Sequence, residues 1–404
     1  MRFIQELFCS ICYASFFNLR KKQKTYFLYG TRQWIPLVYP CRVPSRIDVS
    51  ILQITMKVFF YHIFPVSEEL ENWEKGQFPG HLLYGLTHLK QHGITACFYG
   101  KGFHFWMKRW KLMLYNLWYL LFKYDYDLLY AVTHRGIELI ILLRALGLFK
   151  KPIVLWHHTA VINPSNYGRR KLSELFYKGI DKMFFFSEEL ANRSINTGKV
   201  KKENAIVIHW GADLSYYSKL MTINRSQRFI STGIENRDFI TLIKAFNETN
   251  AVCDIYTRPF VGRDYLQEVR QNVTIKGNIN FHIVNKTIPE MAKLVSSAYC
   301  VVICCSEYPY TVGLTTLIEA MALGLPIIVT DNPTFEMDIE KEKAGIKVAY
   351  GDVNGWKNAI NYFVTHPEEA NRMGKNARIL AEKQYNLDIL SVEVAQVLLS
   401  FEKQ

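Results

Sequence analysis

From Met56 onward the chain alternates short apolar, β-forming segments with segments whose apolar residues recur at helical spacing, and it does so twice over. Lys57–Phe64 reads as a strand, Gly80–His92 as a helix stopped by Gly93, and Ala96–Tyr99 as the next strand. Asp127–Ala131, Ile153–Trp156, Asp181–Phe186 and Ala205–His209 continue the strand series, with a helix over Ile137–Leu146. After the polar stretch Ser218–Gln227 the pattern restarts. Strands are expected at Arg228–Thr232, Ala251–Tyr256, Phe281–Val284 and Cys300–Cys304, and helices at Asp238–Asn247 and Met291–Ser297. Alternation of this kind predicts a parallel sheet covered by helices. Two series joined near Leu220 predict two Rossmann-like α/β domains, 56–220 and 221–385, with a C-terminal helix in 386–404. Ligands in such sheets bind beyond the carboxyl ends of the strands, so the cleft between the domains is the expected site.

Residues 1–55 do not follow this pattern. They are basic and aromatic with little periodicity, and Leu7–Phe17 is too short to cross a membrane. The strand opened by Met56 resembles the first strand of a nucleotide-binding domain, and the expectation is that Met56 starts the protein, with a membrane-attached extension over 1–55 as the alternative. Charge is uneven: the net +13 divides into +6 for 1–55, +9 for 56–220 and −2 for 221–404. An anionic partner is therefore expected at the front half. The eight cysteines form no disulfide framework, and the Cys9–Cys12 pair has no second pair at zinc spacing.

Thr311–Asp331, TVGLTTLIEAMALGLPIIVTD, carries the most chemistry. A glycine turn leads into a short helix with one acidic residue, Glu319, then a Gly324–Leu325–Pro326 break and the apolar strand Ile327–Val329. A helix N-terminus offers unpaired N–H groups and a positive dipole end to phosphate. A carboxylate about two turns on can accept both hydroxyls of a ribose.

With these residues in view, the chain resembles the glycosyltransferases of family four, retaining enzymes of the GT-B fold. The resemblance runs from Met56 to residue 401. It rests on GLTTLIEAMALGLPIIVTD together with FPGHLLYGLTHLKQHG, PIVLWHHTA, DKMFFFSEEL, VIHWGADLSYY, STGIENRDFITLIKAF and HPEEANRMGKNARILAEKQY. It implies that the front domain holds the acceptor and the back domain a nucleotide-sugar donor. Transfer with retention is implied, the leaving oxygen acting as base, with no metal or other cofactor. Glu319 matches the second of the family's two glutamates and would hold the ribose. Thr311 stands where the first would be, and Glu307 lies upstream. Gly233 is followed by Ile234 where the family has arginine, Arg237 takes the place of the family's lysine, and Arg258 is a candidate for the missing cation. Gly313, Leu314, Thr315 and Thr316 would meet the phosphates. His158 takes the place of the histidine that contacts the donor sugar, with His157 its neighbour. Gly80 would let the backbone approach the donor, and Ser187 is either a site residue or a helix cap. Catalytic roles are thus expected of His158 and Glu319, and donor binding of Gly80, Gly233, Arg237, Arg258 and Gly313–Thr316.

Phe103–Lys123 mixes tryptophans, leucines and basic residues with no acidic one, as expected of a helix lying on an anionic membrane surface or of an ordinary sheet-covering helix. The basic residues match no nucleic-acid recognition module. The expected protein is cytoplasmic, or peripheral on the inner face of the membrane. It would transfer a sugar to a glycan or lipid-linked acceptor in polysaccharide or lipopolysaccharide assembly. A catalytically silent sugar-nucleotide-binding subunit and a nucleotide-sugar epimerase are the alternatives.

Overall fold

The computed structural model describes residues 56–100, 107–222, 224–259 and 263–402. The segment 1–55 with Cys9 and Cys12, and 103–106 of the basic aromatic stretch, lie outside the described residues.

The first sheet is built from β1 (Met56–Tyr61), α1 (Val66–Glu74), β2 (Ile94–Cys97), α2 (Arg109–Phe122), β3 (Leu128–Ala131), α3 (Glu138–Ala145), β4 (Ile153–Trp156), α4 (Tyr167–Lys178), β5 (Lys182–Phe185), α5 (Glu188–Ile195), β6 (Ala205–Val207) and α6 (Leu214–Ser218). Its strands are all parallel, in the order β2-β1-β3-β4-β5-β6. The second comprises β7 (Arg228–Thr232), α7 (Phe239–Asn247), β8 (Val252–Thr257), α8 (Tyr265–Asn272), β9 (Ile279–Ile283), α9 (Ile288–Ser296), β10 (Cys300–Ile303), α10 (Leu314–Ala322), β11 (Ile327–Thr330) and β12 (Ile346–Val348). It is also parallel, ordered β12-β11-β10-β7-β8-β9. Parallel strands covered on both faces read as unbroken apolar runs, and Phe59–Tyr61, Leu128–Ala131, Ile153–Leu155 and Val301–Ile303 are fully buried accordingly. In each sheet the strand order reverses beside the first strand, between β1 and β3 and between β7 and β10. Crevices open at such points, and ligands settle there.

Three further helices close the chain: α11 (Val353–Thr365), α12 (Pro367–Lys383) and α13 (Leu387–Leu399). The last returns to the first sheet's side. Leu387 N donates to Ala212 O at 2.9 Å, His92 Nε2 meets Ser391 Oγ at 3.3 Å, and the Glu393 carboxylate accepts from His209 N at 2.8 Å. Gly211 makes this crossing feasible, since a Cβ there would collide with the backbone of Asn386.

One expected helix is different in kind. Gly80–His92 forms two 3-10 segments, Gly80–Leu83 and Leu86–His92, parted by Tyr84 and Gly85 in the left-handed region. A left-handed tyrosine is unfavourable and is held by its neighbours. Tyr130 Oη donates to the Tyr84 carbonyl at 2.7 Å, and the Tyr84 ring packs on Trp156 and Trp210. The break thereby aims Tyr84 into the cleft.

The helix α2 has two faces. Leu112, Asn116 and Leu120 are buried against the sheet, while Trp110, Leu114, Trp118 and Phe122, at intervals of four, stand exposed. Among the described residues no helix is long and apolar enough to cross a membrane.

Candidate functional site

The carboxyl ends of the two sheets enclose a cavity of about 340 Å³. Its first wall is aromatic: His62 follows β1, His158 follows β4, Phe186 follows β5, and Tyr84, Trp210 and Tyr217 fill in around them. The second wall carries the charge, with Gly233, Glu235 and Arg237 after β7, Arg258 after β8, Lys286 after β9, and Thr311–Thr316 and Glu319 from the loop after β10 and α10. The two walls touch through an antiparallel bridge between Thr159 and Tyr310.

Helix α10 starts at a glycine in the left-handed region. Most helices here begin with an Asn, Ser, Asp or Thr whose side chain accepts a backbone N–H, as Ser187, Asp238 and Asp264 do. Position 313 is a glycine at φ 92, and no side chain caps the helix. A Cβ there would meet Ile303 Cγ2 at 2.8 Å as well as suffer the left-handed backbone. Thr315 and Thr316, in the first turn whose N–H groups have no intrahelical acceptor, line the cavity at the positive end of the helix dipole.

Arg237 lies beside this helix start and is 4% exposed. Its Nε donates to Thr232 O at 3.1 Å, Nη1 to Glu235 O at 3.1 Å, and Nη2 to Thr316 Oγ1 at 3.0 Å. All of these acceptors are neutral, as is Cys305 Sγ, at 3.5 Å from Nη1. A buried guanidinium faced by neutral groups is a strong local attractor of anions. Gly233, at φ 123, serves the same cation: a Cβ would run into the Arg237 guanidinium. Arg258 is only half-buried; its Nη1 donates to Asn285 Oδ1 at 3.3 Å, which leaves most of its fork open to the cavity.

Glu319 sits one turn beyond Thr316 and is partly exposed to the cavity. Tyr217 Oη donates to its Oε1 at 2.6 Å. Burial pushes this carboxyl up to about 7, against the opposing hydrogen bond from Tyr217. Across the cavity His158 Nε2 shares a hydrogen bond with Tyr84 Oη at 2.9 Å. Burial first, then the neighbouring histidines, lowers His158 to about 3, so the ring is neutral near pH 7 and offers hydrogen bonding rather than proton transfer.

The structure thus brings His158, Gly233, Arg237, Arg258, Gly313, Leu314, Thr315, Thr316 and Glu319 around one cavity. It does not bring Gly80 there. The Gly80 N–H donates to Asp213 Oδ2 at 2.8 Å, a Cβ there would collide with Leu387 and Trp73, and the residue is not part of the cavity lining. His157 points to the opposite side of the strand end from His158. Its Nδ1 bonds Thr159 O at 2.5 Å and its Nε2 Tyr177 Oη at 3.0 Å, a structural arrangement. Ser187 caps α5 by accepting from Leu190 N at 3.4 Å. Glu307 is not part of the cavity lining, whereas Thr311 is. The sequence reading missed Glu235, Tyr84, Trp210 and Tyr217. Trp210 and Tyr217 belong to VIHWGADLSYY, where tyrosine and tryptophan after a short strand were the available signal. No group of three or more His, Cys, Asp or Glu among the described residues could hold a metal ion; Arg237, Arg258 and Lys286 supply the cavity's positive charge.

Residues 235–380 match the family model described as glycosyl transferases group 1. The fold is similar to that of Anabaena HepE, solved with UDP and glucose (TM-score 0.61, 17% identity, 85% of this chain and 100% of that one). It is similar also to sucrose-phosphate synthase from Thermosynechococcus elongatus (TM-score 0.64, 15% identity, 85% and 98%). A third likeness is to WaaG, a glycosyltransferase involved in lipopolysaccharide biosynthesis (TM-score 0.56, 12% identity, 85% and 99%). Comparison with curated proteins gives no significant match. The architecture is therefore GT-B, two Rossmann-like α/β domains.

Histidines in and behind the first wall bear on the acid stability. Burial lowers His62 and His158 to about 3 and His81, His134 and His157 to about 4. The unfolded chain takes up these protons near pH 6.5 and the folded chain only near 3–4, so stability falls as pH drops through that window. The slope approaches about 1.4 kcal/mol per pH unit for each fully shifted group. Glu69 and Glu319, both pushed up to about 7 by burial, oppose this between pH 7 and 4.5, as does His209, raised by its hydrogen bond with Glu393, but they are three groups against five. Melting temperature followed by circular dichroism is expected to fall by several degrees between pH 7 and pH 5; a flat profile would contradict the buried neutral state of these rings.

Proposed function

We propose that the protein is a retaining glycosyltransferase that takes a sugar from a nucleoside-diphosphate donor and passes it to a glycan or lipid-linked acceptor. The observation that carries this reading is the pairing, in one cavity, of a buried guanidinium without a carboxylate acceptor and a carboxylate with one oxygen unclaimed. Arg237, Arg258 and the α10 N-terminus suit a diphosphate; Glu319, about two turns away, suits a ribose. The solved Anabaena relative binds UDP or UDP-glucose, which makes a uridine donor the first to test.

In this reading the acceptor enters along the aromatic first wall, where sugar C–H faces pack well on Tyr84 and Trp210. Its hydroxyl attacks the anomeric carbon on the face from which the diphosphate departs, and the departing oxygen receives the hydroxyl proton. No metal is required, because the charge that develops on the diphosphate is met by Arg237, Arg258 and the helix dipole. His158 donates or accepts a hydrogen bond to the sugar. The aromatic wall excludes water and so favours transfer over hydrolysis. The acceptor belongs to surface polysaccharide or lipopolysaccharide assembly at the cytoplasmic face.

The donor reading is tested by thermal shift and calorimetry with nucleoside diphosphates and nucleotide sugars. At least one is expected to raise the melting temperature. Glu319→Ala is expected to weaken that ligand by about 10- to 100-fold, the loss of charge-assisted hydrogen bonds of ~1.5–3 kcal/mol. Arg258→Ala should weaken it in a salt-dependent way. No shift with any of them would overturn the reading. Thr311 and Ile234, which replace the usual acid and cation, favour the silent binding subunit as second reading; binding without hydrolysis or transfer would support that one instead.

The α2 stripe suits attachment to an anionic bilayer. Trp110, Leu114, Trp118 and Phe122 form an exposed apolar line, and Lys108, Lys111 and Lys123 stand exposed around it. Each lysine adds about 1 kcal/mol near an anionic surface. Sedimentation with phosphatidylglycerol vesicles is expected to exceed that with phosphatidylcholine, and Trp110→Glu with Trp118→Glu to abolish the excess. Equal recovery from both lipids would refute attachment.

A further inference from the structure

Behind Glu319 lies a buried donor that nothing in the fold satisfies. His81, in the 3-10 segment after α1, is 0% exposed, and its Nε2 has no hydrogen-bond partner. Its ring is held between Trp210 and Tyr217, with centroids at 5.7 and 6.1 Å. The Asp213 N–H donates to His81 Nδ1 at 3.3 Å, so the ring proton is on Nε2. Asp213 is itself immobilised: its carboxylate accepts from Gly80 N at 2.8 Å, Ser215 Oγ at 2.8 Å and Tyr216 N at 3.0 Å. The imidazole therefore cannot turn over without breaking its contact to Asp213. Its Nε2–H faces Oε1 of Glu319 at 3.7 Å, too long for a hydrogen bond.

We propose that His81 is the positioning residue for Glu319: its Nε2–H becomes the second donor to Oε1 when the carboxylate is ionised, which leaves Oε2 for the ribose hydroxyls. The inference rests on the donor reading above and deepens it. A buried N–H without an acceptor is unfavourable, and a donor poised just beyond bonding distance of a carboxyl relaxes when that carboxyl takes up charge. Tyr217 already occupies one lone pair of Oε1 at 2.6 Å, and His81 Nε2 stands 3.7 Å from the same oxygen. Both donors come from outside the second sheet, His81 from the turn after α1 and Tyr217 from α6, whereas Glu319 belongs to α10. The nucleotide's carboxylate is thus set by the first half of the molecule.

The groups facing Glu319 limit what else could set its ionisation. From α6 come Tyr216 and Tyr217, both phenols raised by burial and neutral near pH 7. From the turn after α1 comes His81, which burial lowers to about 4 despite Asp213, so it is a neutral donor and no ion pair forms. Arg237 acts from the loop after β7 through Thr316, one turn earlier on α10.

The test is calorimetric binding of UDP between pH 5.5 and 9 to the wild type, His81→Asn and His81→Gln. An asparagine amide can replace Nδ1 as acceptor for Asp213 but falls short of Glu319; a glutamine amide extends to it. Wild-type affinity is expected to fall below about pH 7, as Glu319 takes up its proton. In His81→Asn the midpoint should move up by about one pH unit, which lowers affinity about fivefold at pH 7 and about tenfold by pH 6. His81→Gln should restore most of the wild-type profile. The 2′,3′-dideoxy analogue of UDP, without ribose hydroxyls, should bind wild type and both variants alike, which separates positioning from any loss of stability. An unchanged pH midpoint in His81→Asn, or an equal loss with the dideoxy analogue, would overturn the proposal while leaving the donor reading intact. Failure of the wild type to bind UDP would remove the uridine donor and the role of His81 with it.

Discussion

A sheet made only of parallel strands can return to its starting edge only through a covering segment, so every strand delivers its carboxyl end to the same side. Both sheets here obey that constraint, and their carboxyl edges face each other. Everything in the cavity follows from it. His62, His158 and Phe186 continue β1, β4 and β5; Gly233, Arg258 and the Thr311–Thr316 loop continue β7, β8 and β10. The strand order reverses beside β1 and beside β7, and the two crevices so formed are the two halves of one cleft. Helix α13 completes the arrangement by crossing back to the first sheet through the contact of Ala212 with Leu387.

Within that frame the two walls divide the chemistry. The first is apolar and, because its histidines are neutral, carries no cation among the described residues at pH 7. The second concentrates charge at the start of α10, where Gly313 leaves the helix uncapped and Arg237 lies buried among neutral acceptors. These are separate sources of positive potential, one a dipole and one a full charge, and they meet at Thr316. The carboxyl of Glu319 lies on the same helix, but its setting comes from Tyr217 and His81. The second wall and the front half are therefore in direct contact at this point.

Much of this was legible in the chain itself. The strands were visible because burial on both faces makes each an unbroken apolar run, and Ile153–Trp156 and Arg228–Thr232 agree to the residue. That Thr311–Glu319 would line the cleft was legible because glycine turn, helix start and carboxylate are adjacent in sequence. What escaped was set by distant partners. Nothing near Gly80 announces that Asp213, far along the chain, takes its N–H. The break at Tyr84 depends on Tyr130, and the helical spacing of Gly80–His92 fits 3-10 turns as well as an α-helix. Helices α4 and α8 were missed because polar residues dominate them; α4 buries Tyr177 alone. His157 and His158 alternate across a strand end, and only the packing of Tyr177 against one and Tyr84 against the other tells them apart.

The central claim is that one cavity holds a nucleotide by its diphosphate at the start of α10 and by its ribose at Glu319. A crystal structure of the protein with UDP tests this most directly. The account predicts diphosphate oxygens against the Thr315 and Thr316 N–H groups and the Arg258 guanidinium, with both ribose hydroxyls on the Glu319 carboxylate. A uridine ribose held by other residues, or a cleft left empty at saturating UDP, would contradict it.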